Sequence, residues 1–284
     1  MKTSAPFALS LDRSSTDVQV TEPGADELRQ GLADCAFVGF YQPQLSLKNG
    51  TICGLEVLAR WQHPHKGLLT PGDFLHALEH HNLMNQLFLR LFEQGLALRQ
   101  KLACLNLPLT MSFNLQPSQL SNPMLSQAIK VLLRVHECPA QRITFEITET
   151  GTLDTCSIVM SNLVQLKLLG CGLSMDDFGT GFSTLERLCD VPFSELKLDA
   201  SFVQKLETHS ACKAIITRTV SLAASLGLSL VIEGVETTAQ LKQLEALGVC
   251  TVQGDAIAPP MAASALLPYM LEYIAGFRVV LTSV

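Results

Sequence analysis

Short apolar runs and longer helical segments alternate along this chain from residue 36 to residue 254, and that alternation restricts the fold more than any other feature. The runs are AFVGFYQPQLSL (36–47), TICGLEVLARW (51–61), LTMSFN (109–114), RITFEIT (142–148), GLSMDD (172–177), ELKLD (195–199), LSLVIE (228–233) and VCTVQG (249–254). Segments of helical character lie at 71–102, 117–136, 154–170, 212–227 and 237–248, after an amphipathic stretch at 25–35. Gly170, Gly227 and Gly248 each stand where a helix C-cap is expected, just ahead of the next strand. Strands that are apolar nearly throughout are buried on both faces, as in a parallel sheet covered by helices. Eight of them predict closure into a barrel, and no glycine-rich dinucleotide fingerprint follows any strand. The turn around Lys48-Asn49-Gly50 is too short for a helical crossover, so the first two strands pair antiparallel. The expected fold is α/β: a modified (β/α)8 TIM-like barrel with its first strand antiparallel. A length of 284 residues suits one such domain.

A polar residue of ligand type stands in or at the end of most runs: Glu56, Asn114, Glu146, Asp176 and Asp177, Lys197, Glu233 and Gln253. In a barrel the C-terminal strand ends converge on one face, and that face carries the active site. Any one of these residues, taken singly, could be a helix cap or a loop residue. Taken in series, capping does not explain them. Adjacent carboxylates such as Asp176 and Asp177 repel unless a cation lies between them. Oxygen donors without Cys or His suit Mg²⁺ or Mn²⁺ rather than zinc. Two such ions about 3.5–4 Å apart suit in-line attack of water on a phosphodiester, with Asp176 bridging the pair and Asp177 on one ion.

The net charge of −6 argues against bulk binding of duplex nucleic acid, yet allows a small anionic ligand. Nine cysteines without a CxxC pair read as reduced, mostly buried thiols of a cytoplasmic protein. No apolar run reaches transmembrane length and the N-terminus lacks a signal-peptide core, so no membrane insertion is expected. Residues 1–23, broken by Pro6 and Pro23, read as a tail or lead-in, and 24–284 as one domain. No sensory segment or second-domain linker is visible. A stand-alone domain is expected, with any regulatory partner acting upstream of it.

The same residues carry a resemblance. EVLAR from Glu56 (Val57 replacing the usual alanine), YQP at 41–43, NLQPSQL from Asn114, EITET from Glu146, DDFGTGFSTL from Asp176, ELKLDASFV from Glu195, IEGVET from Ile232 and QG at 253–254 are similar to motifs of one family. In order and spacing, over about residues 25–275, the chain resembles the EAL-domain phosphodiesterases, which hydrolyse the bacterial messenger cyclic di-GMP to linear pGpG. The resemblance implies a metal-binding set of Glu56, Asn114, Glu146, Asp176, Asp177 and Glu233, holding two Mg²⁺ or Mn²⁺ ions per active site. It implies a catalytic Lys197 beside the attacking water, with Glu56 and Glu233 taking part in catalysis. A lysine acting as general base would need a depressed pKa, so metal activation of the water is preferred, with Lys197 orienting or relaying. The resemblance further implies that Arg60 clamps a substrate phosphate, that Gln42 and Leu58 line the guanine and ribose subsites, and that Gln253 stands near the water. DFGTGFS resembles the loop that joins the metal site to a homodimer interface in that family, and Glu149 the glutamate that anchors it.

Two departures lie near the guanine-binding rim: Asp255 in place of an aromatic residue, and Pro259-Pro260 in place of a basic residue and proline. His63 and His65 are close in sequence, but a loop position is favoured over a metal role. His80 and His81 read as helix-end residues. Two rival functions remain distinct from hydrolysis: a sensor that binds cyclic di-GMP without cutting it, and a protein-interaction scaffold.

Overall fold

A computed structural model describes residues 22–148, 157–181 and 184–281. Its strands are β1 (Phe37–Ser46), β2 (Thr51–His63), β3 (Gly67–Leu69), β4 (Thr110–Asn114), β5 (Ile143–Thr148), β6 (Gly172–Phe178), β7 (Glu195–Leu198), β8 (Ser229–Ile232), β9 (Thr251–Gln253) and β10 (Met261–Ala262). They form one sheet in the order β10-β1-β9-β8-β7-β6-β5-β4-β2-β3, and a further β1–β2 pairing closes it on itself. Eight strands make the barrel, with β3 and β10 paired outside it. Strand β1 runs antiparallel to both neighbours, β2 and β9, while the pairs from β2–β4 round to β8–β9 are parallel. The reversed first strand follows from the tight β1–β2 turn.

Helices cover the barrel because their apolar faces need burial. Helix Met84–Cys104 buries Leu87, Phe88, Leu91, Phe92, Leu96 and Leu102, which fall on one face of the helix. Its Phe92 meets Phe113 of β4 edge-on at 4.9 Å and Phe145 of β5 at 5.8 Å. Each such ring, fully buried, contributes on the order of 2–3 kcal/mol. At the barrel's start, Phe37 stacks on Trp61 at 4.7 Å.

The expected helix over 71–102 is two helices, Leu75–His80 and Met84–Cys104, separated at Asn82, whose φ of 57° interrupts the ladder. The segment 117–136 also divides, into Pro117–Leu120 and Leu125–Val135, around Asn122-Pro123; proline disfavours helical geometry in the residue before it. Helices Thr184–Asp190 and Ala200–Gln204 had no sequence expectation. The C-terminal apolar stretch continues as helix Ala263–Leu281. Gly170, Gly227 and Gly248 do take positive φ just past their helices.

The cysteines correct one expectation. Of those described, all free, Cys35, Cys104, Cys189 and Cys250 are exposed, and only Cys138, Cys171 and Cys212 are buried. His63 ends β2 rather than lying in the expected loop. Its Nδ1 accepts from the backbone N–H groups of His65 and Lys66, both at 3.1 Å, so Nε2 carries the proton and donates to Glu27 at 2.7 Å. That bond fastens helix Ala25–Ala33 to β2.

Gly234, which follows the last residue of the β8 run, supplies a stability test. Its φ is +67°, and a Cβ there would collide with Ala200 at the start of the helix after β7. Gly234→Ala is expected to cost about 2–4 kcal/mol, from left-handed strain plus overpacking. Urea unfolding measures it; an unchanged midpoint would show that the two segments separate without cost.

Candidate active site at the barrel mouth

Strand alternation and register decide which side chains meet. Glu56 lies on β2 directly opposite Gln42 of β1. Asn114, at the end of β4, is level with Glu146 of β5. Gln253, at the end of β9, is level with Gln44 of β1. Lys197 stands on β7 and Glu233 immediately follows β8.

Lys197 is the centre of this arrangement, with its side chain 1% exposed. Its Nζ lies 2.6 Å from Glu233, 2.8 Å from Glu146, 3.2 Å from Glu56 and 3.3 Å from Asp176. Four carboxylates, three from β2, β5 and β6 and one just past β8, therefore share one ammonium. Glu56 also accepts from Asn114 Nδ2 at 3.0 Å and from Gln253 Nε2 at 2.5 Å.

Neighbouring residues of a regular strand point to opposite faces, so Asp176 and Asp177 should diverge. A bulge prevents this. The β6–β7 register slips between Met175 and Phe178, and Asp177 adopts φ 56°. Bulges re-aim side chains in this way, and Asp is among the few residues that enter the left-handed region readily. As a result, ligand atoms of Asp176, Asp177 and Glu233 lie within 4.8 Å of one another.

The electrostatics follow from burial and crowding. Burial alone would lower the Lys197 pKa, but Glu146, Glu56, Glu233 and Asp176 together hold it well above its ordinary value. A depressed lysine pKa, which a general base needs, is absent from this arrangement. Burial raises Glu146 well above the usual carboxyl range, with Glu56 adding to the shift. Burial also pushes Glu233 up to about 8, against the attraction of Lys197, and Asp177 up to about 6, reinforced by Asp176. For Glu56 the Lys197 charge and the Gln253 and Asn114 hydrogen bonds outweigh burial, and the net shift is downward.

The donor set fits a hard divalent cation. The buried oxygens Glu146 Oε1 and Asp176 Oδ1 have no hydrogen-bond donor. The 3.3 Å approach of Lys197 to Asp176 is a charge contact only. Orphaned buried acceptors cost about 1–3 kcal/mol each, and an ion that binds oxygen would satisfy them. Binding requires carboxylates. Metal affinity should therefore rise with pH through the window from about 6 to about 8 where Asp177 and Glu233 lose their protons. The sign for stability is opposite. Both folded values exceed the ordinary 3.8 and 4.5, so the metal-free fold binds more protons than the unfolded chain and loses stability as pH rises toward 8. Mn²⁺ titrations and metal-free melting curves at pH 6, 7 and 8 check both; an affinity independent of pH would contradict these proton positions.

Leu58 and Arg60 follow Glu56 at alternate positions of β2. Leu58 lines a cavity of about 240 Å³ beside Glu56 and Asn114, walled by Leu75, Phe88 and Phe113. The Arg60 guanidinium lies over the Phe40 ring at 5.4 Å and donates to the Ala59 carbonyl at 2.8 Å. Burial lowers its pKa while the Glu56 charge raises it; Arg60 thus stands beside the carboxylate cluster without pairing to it. Glu149 lies outside the described residues, as do Phe182 and Ser183 of the expected loop. Of the loop's start, Thr180 bonds back to the Asp177 carbonyl through N–H at 3.2 Å and Oγ1 at 2.9 Å. Gln44, unremarked in the sequence, is 6% exposed and donates to Gln253 Oε1 at 3.0 Å. Its spacing of two from Gln42 on a strand was the available signal.

Comparison with known proteins accords with this geometry. The EAL domain family model matches residues 25–260. The chain belongs to the EAL domain family. The cyclic di-GMP phosphodiesterase RocR of Pseudomonas aeruginosa is 46% identical over 253 residues, covering 89% of this chain and 64% of RocR. The bifunctional diguanylate cyclase/cyclic di-GMP phosphodiesterase MucR of the same organism is 36% identical over 85% of this chain and 35% of its own length. This EAL domain thus spans less than two thirds of those relatives. Among solved structures, the MucR phosphodiesterase in complex with c-di-GMP superposes with a TM-score of 0.77 at 36% identity, covering 85% of this chain and 98% of the other. The EAL enzyme Bd1971, bound to cAMP and cyclic di-GMP, gives 0.80 at 30%, with 86% and 67% covered. No helix among the described residues is long and apolar enough to cross a membrane.

Proposed function

We propose that this EAL domain, taken as residues 24–284, hydrolyses one phosphodiester bond of cyclic di-GMP and releases linear pGpG. The observation that carries the reading is the meeting of Lys197 with Glu56, Glu146, Asp176 and Glu233 at the mouth of an EAL barrel. RocR, which shares 46% of its aligned residues with this chain, is a cyclic di-GMP phosphodiesterase.

In this reading Glu56, Asn114, Glu146, Asp176, Asp177 and Glu233 hold two Mg²⁺ or Mn²⁺ ions. Asn114 gives its Nδ2 to Glu56, which leaves Oδ1 as its ligating atom. When bound, such ions supply Lewis acidity toward the phosphate and lower the pKa of water. The chain's own groups do the rest. Lys197 orients the attacking oxygen or relays its proton. Arg60 presents a planar fork of donors to a phosphate. Leu58 and the adjoining cavity wall exclude water from one side of the nucleotide. Gln42 lines the guanine and ribose subsites together with Leu58, and the Gln253 carboxamide stands near the attacking oxygen. The segment that follows Asp177 couples the site to a homodimer interface, a control point of the kind that gating loops provide. The free cysteines support action in the reducing cytoplasm.

The test is incubation of the purified protein with cyclic di-GMP and Mg²⁺ or Mn²⁺, against an EDTA control, followed by nucleotide chromatography. Metal-dependent pGpG is the expected product. Binding without turnover would make the domain a sensor, and absence of binding would make it a scaffold; the exposed Asp255 at the rim is the feature that such outcomes would implicate.

A further inference from the structure

A line of carboxamides runs inside the barrel beside Glu56. Gln42 and Gln44, two residues apart on β1, share its inward face. Gln44 is opposite Gly54 on β2 and opposite Gln253 on β9. The hydrogen-bond directions along this line are forced. A carboxylate only accepts, so Gln253 must present Nε2 to Glu56 Oε2. The same Nε2 donates to Gln42 Oε1 at 3.0 Å, which turns the Gln42 Nε2 away toward the Ala258 carbonyl at 3.3 Å. Gln253 Oε1 is thereby aimed at Gln44, which supplies its Nε2 at 3.0 Å. The space is built for this side chain: a Cβ on Gly54 would stand 2.5 Å from Gln44 Oε1 and 2.8 Å from Thr110 Oγ1.

The Gln253 carboxamide has two orientations related by a half-turn. One donates to Glu56; the other opposes the carboxylate with a carbonyl oxygen. The donor from Gln44 favours the first. We propose that Gln44 is a positioning residue of this site, fixing the Gln253 carboxamide and through it the Glu56 carboxylate in the orientation that receives a divalent cation. Gln44 touches neither ion nor nucleotide. The inference rests on the reading of Glu56 as a metal ligand of a phosphodiesterase.

The experiment measures Mn²⁺ affinity by calorimetry, together with kcat and KM for cyclic di-GMP. It uses wild type, Gln44→Leu, Gln44→Met, Gln253→Leu and the double variant Gln44→Leu/Gln253→Leu. Gln44→Met keeps an unbranched chain of the same reach, in case the leucine disturbs packing. Both Gln44 variants are expected to bind Mn²⁺ about tenfold more weakly and to lose about ten- to hundredfold in kcat, with KM changed little. The double variant should be no worse than Gln253→Leu alone, because Gln44 acts only through Gln253. Additive losses in the double variant would overturn the proposal, as would wild-type Mn²⁺ affinity in a folded Gln44 variant. If wild type binds Mn²⁺, the variants weaken it as stated and no protein makes pGpG, the phosphodiesterase reading fails while the positioning role stands. A wild type that binds no Mn²⁺ removes both.

Discussion

Lys197→Met is expected to destabilise the metal-free protein by about 3–5 kcal/mol, the usual consequence of removing one partner from a buried charge cluster. The cause is specific. The ammonium is the shared counter-ion of Glu56, Glu146, Asp176 and Glu233, all within 3.3 Å of Nζ. Without it the carboxylates repel one another, and relief comes only by protonation. The loss should therefore be larger at pH 8 than at pH 6, since Lys197 favours the anionic forms of Glu56 and Glu233 and its removal pushes both carboxyls up. A divalent cation replaces the missing charge, so millimolar Mn²⁺ should restore much of the melting temperature by preferential binding to the folded state. Turnover should stay low even then, by at least about a hundredfold, as the donor to the attacking oxygen is gone. Thermal melts with and without Mn²⁺, beside the nucleotide assay, separate the two roles. An unchanged metal-free melting temperature would mean that Lys197 does not hold the cluster together. Full activity in the presence of Mn²⁺ would reduce it to a structural counter-ion.

Much of this was legible in the sequence, for physical reasons that apply strand by strand. Runs such as RITFEIT and LSLVIE are apolar on both faces, which only a covered parallel sheet accepts. The short turn before Thr51 allowed only an antiparallel β1–β2 pair, and β1 does close the barrel in that sense. The side chains named at the strand ends do converge, since one barrel face collects them. What remained hidden depends on backbone details that no apolar period reports. Helical spacing runs straight through Asn82, although the helix stops there. The adjacency of Asp176 and Asp177 predicts divergence on a regular strand; the bulge that brings them together is a backbone choice. The direction of the Lys197 pKa was not legible for a related reason: sequence names the carboxylates but not their distances, and contacts of 2.6–3.3 Å decide it. The exposed cysteines were missed because thiols carry no periodic signature of burial.

Glu56→Gln should separate function from stability in the opposite way to Lys197→Met. The substitution keeps the side chain's shape and removes its charge. Three donors converge on this carboxylate, from Lys197, Gln253 and Asn114. A carboxamide has only one accepting end, so at least one donor must turn away. The end facing Lys197 and Gln253 has two donors and will keep the oxygen. The amide nitrogen then faces Asn114, which must rotate and offer its Oδ1 to that nitrogen. A single change thereby removes a charged ligand and diverts the Asn114 oxygen from metal binding. Turnover is expected to fall on the order of a thousandfold, comparable to losing a principal electrostatic group in other enzymes. Stability moves little, because two terms oppose. The Glu56–Lys197 attraction is lost, yet Glu146 and Glu233, both pushed up by the Glu56 charge, are relieved. The metal-free protein should stay within about 1 kcal/mol of the original, with weaker Mn²⁺ binding. Activity within tenfold of wild type would sink the assignment of Glu56 as a metal ligand. A large loss of stability would instead show that the charge of Glu56 serves mainly to hold Lys197, and that the barrel mouth is organised around the lysine rather than around the ions.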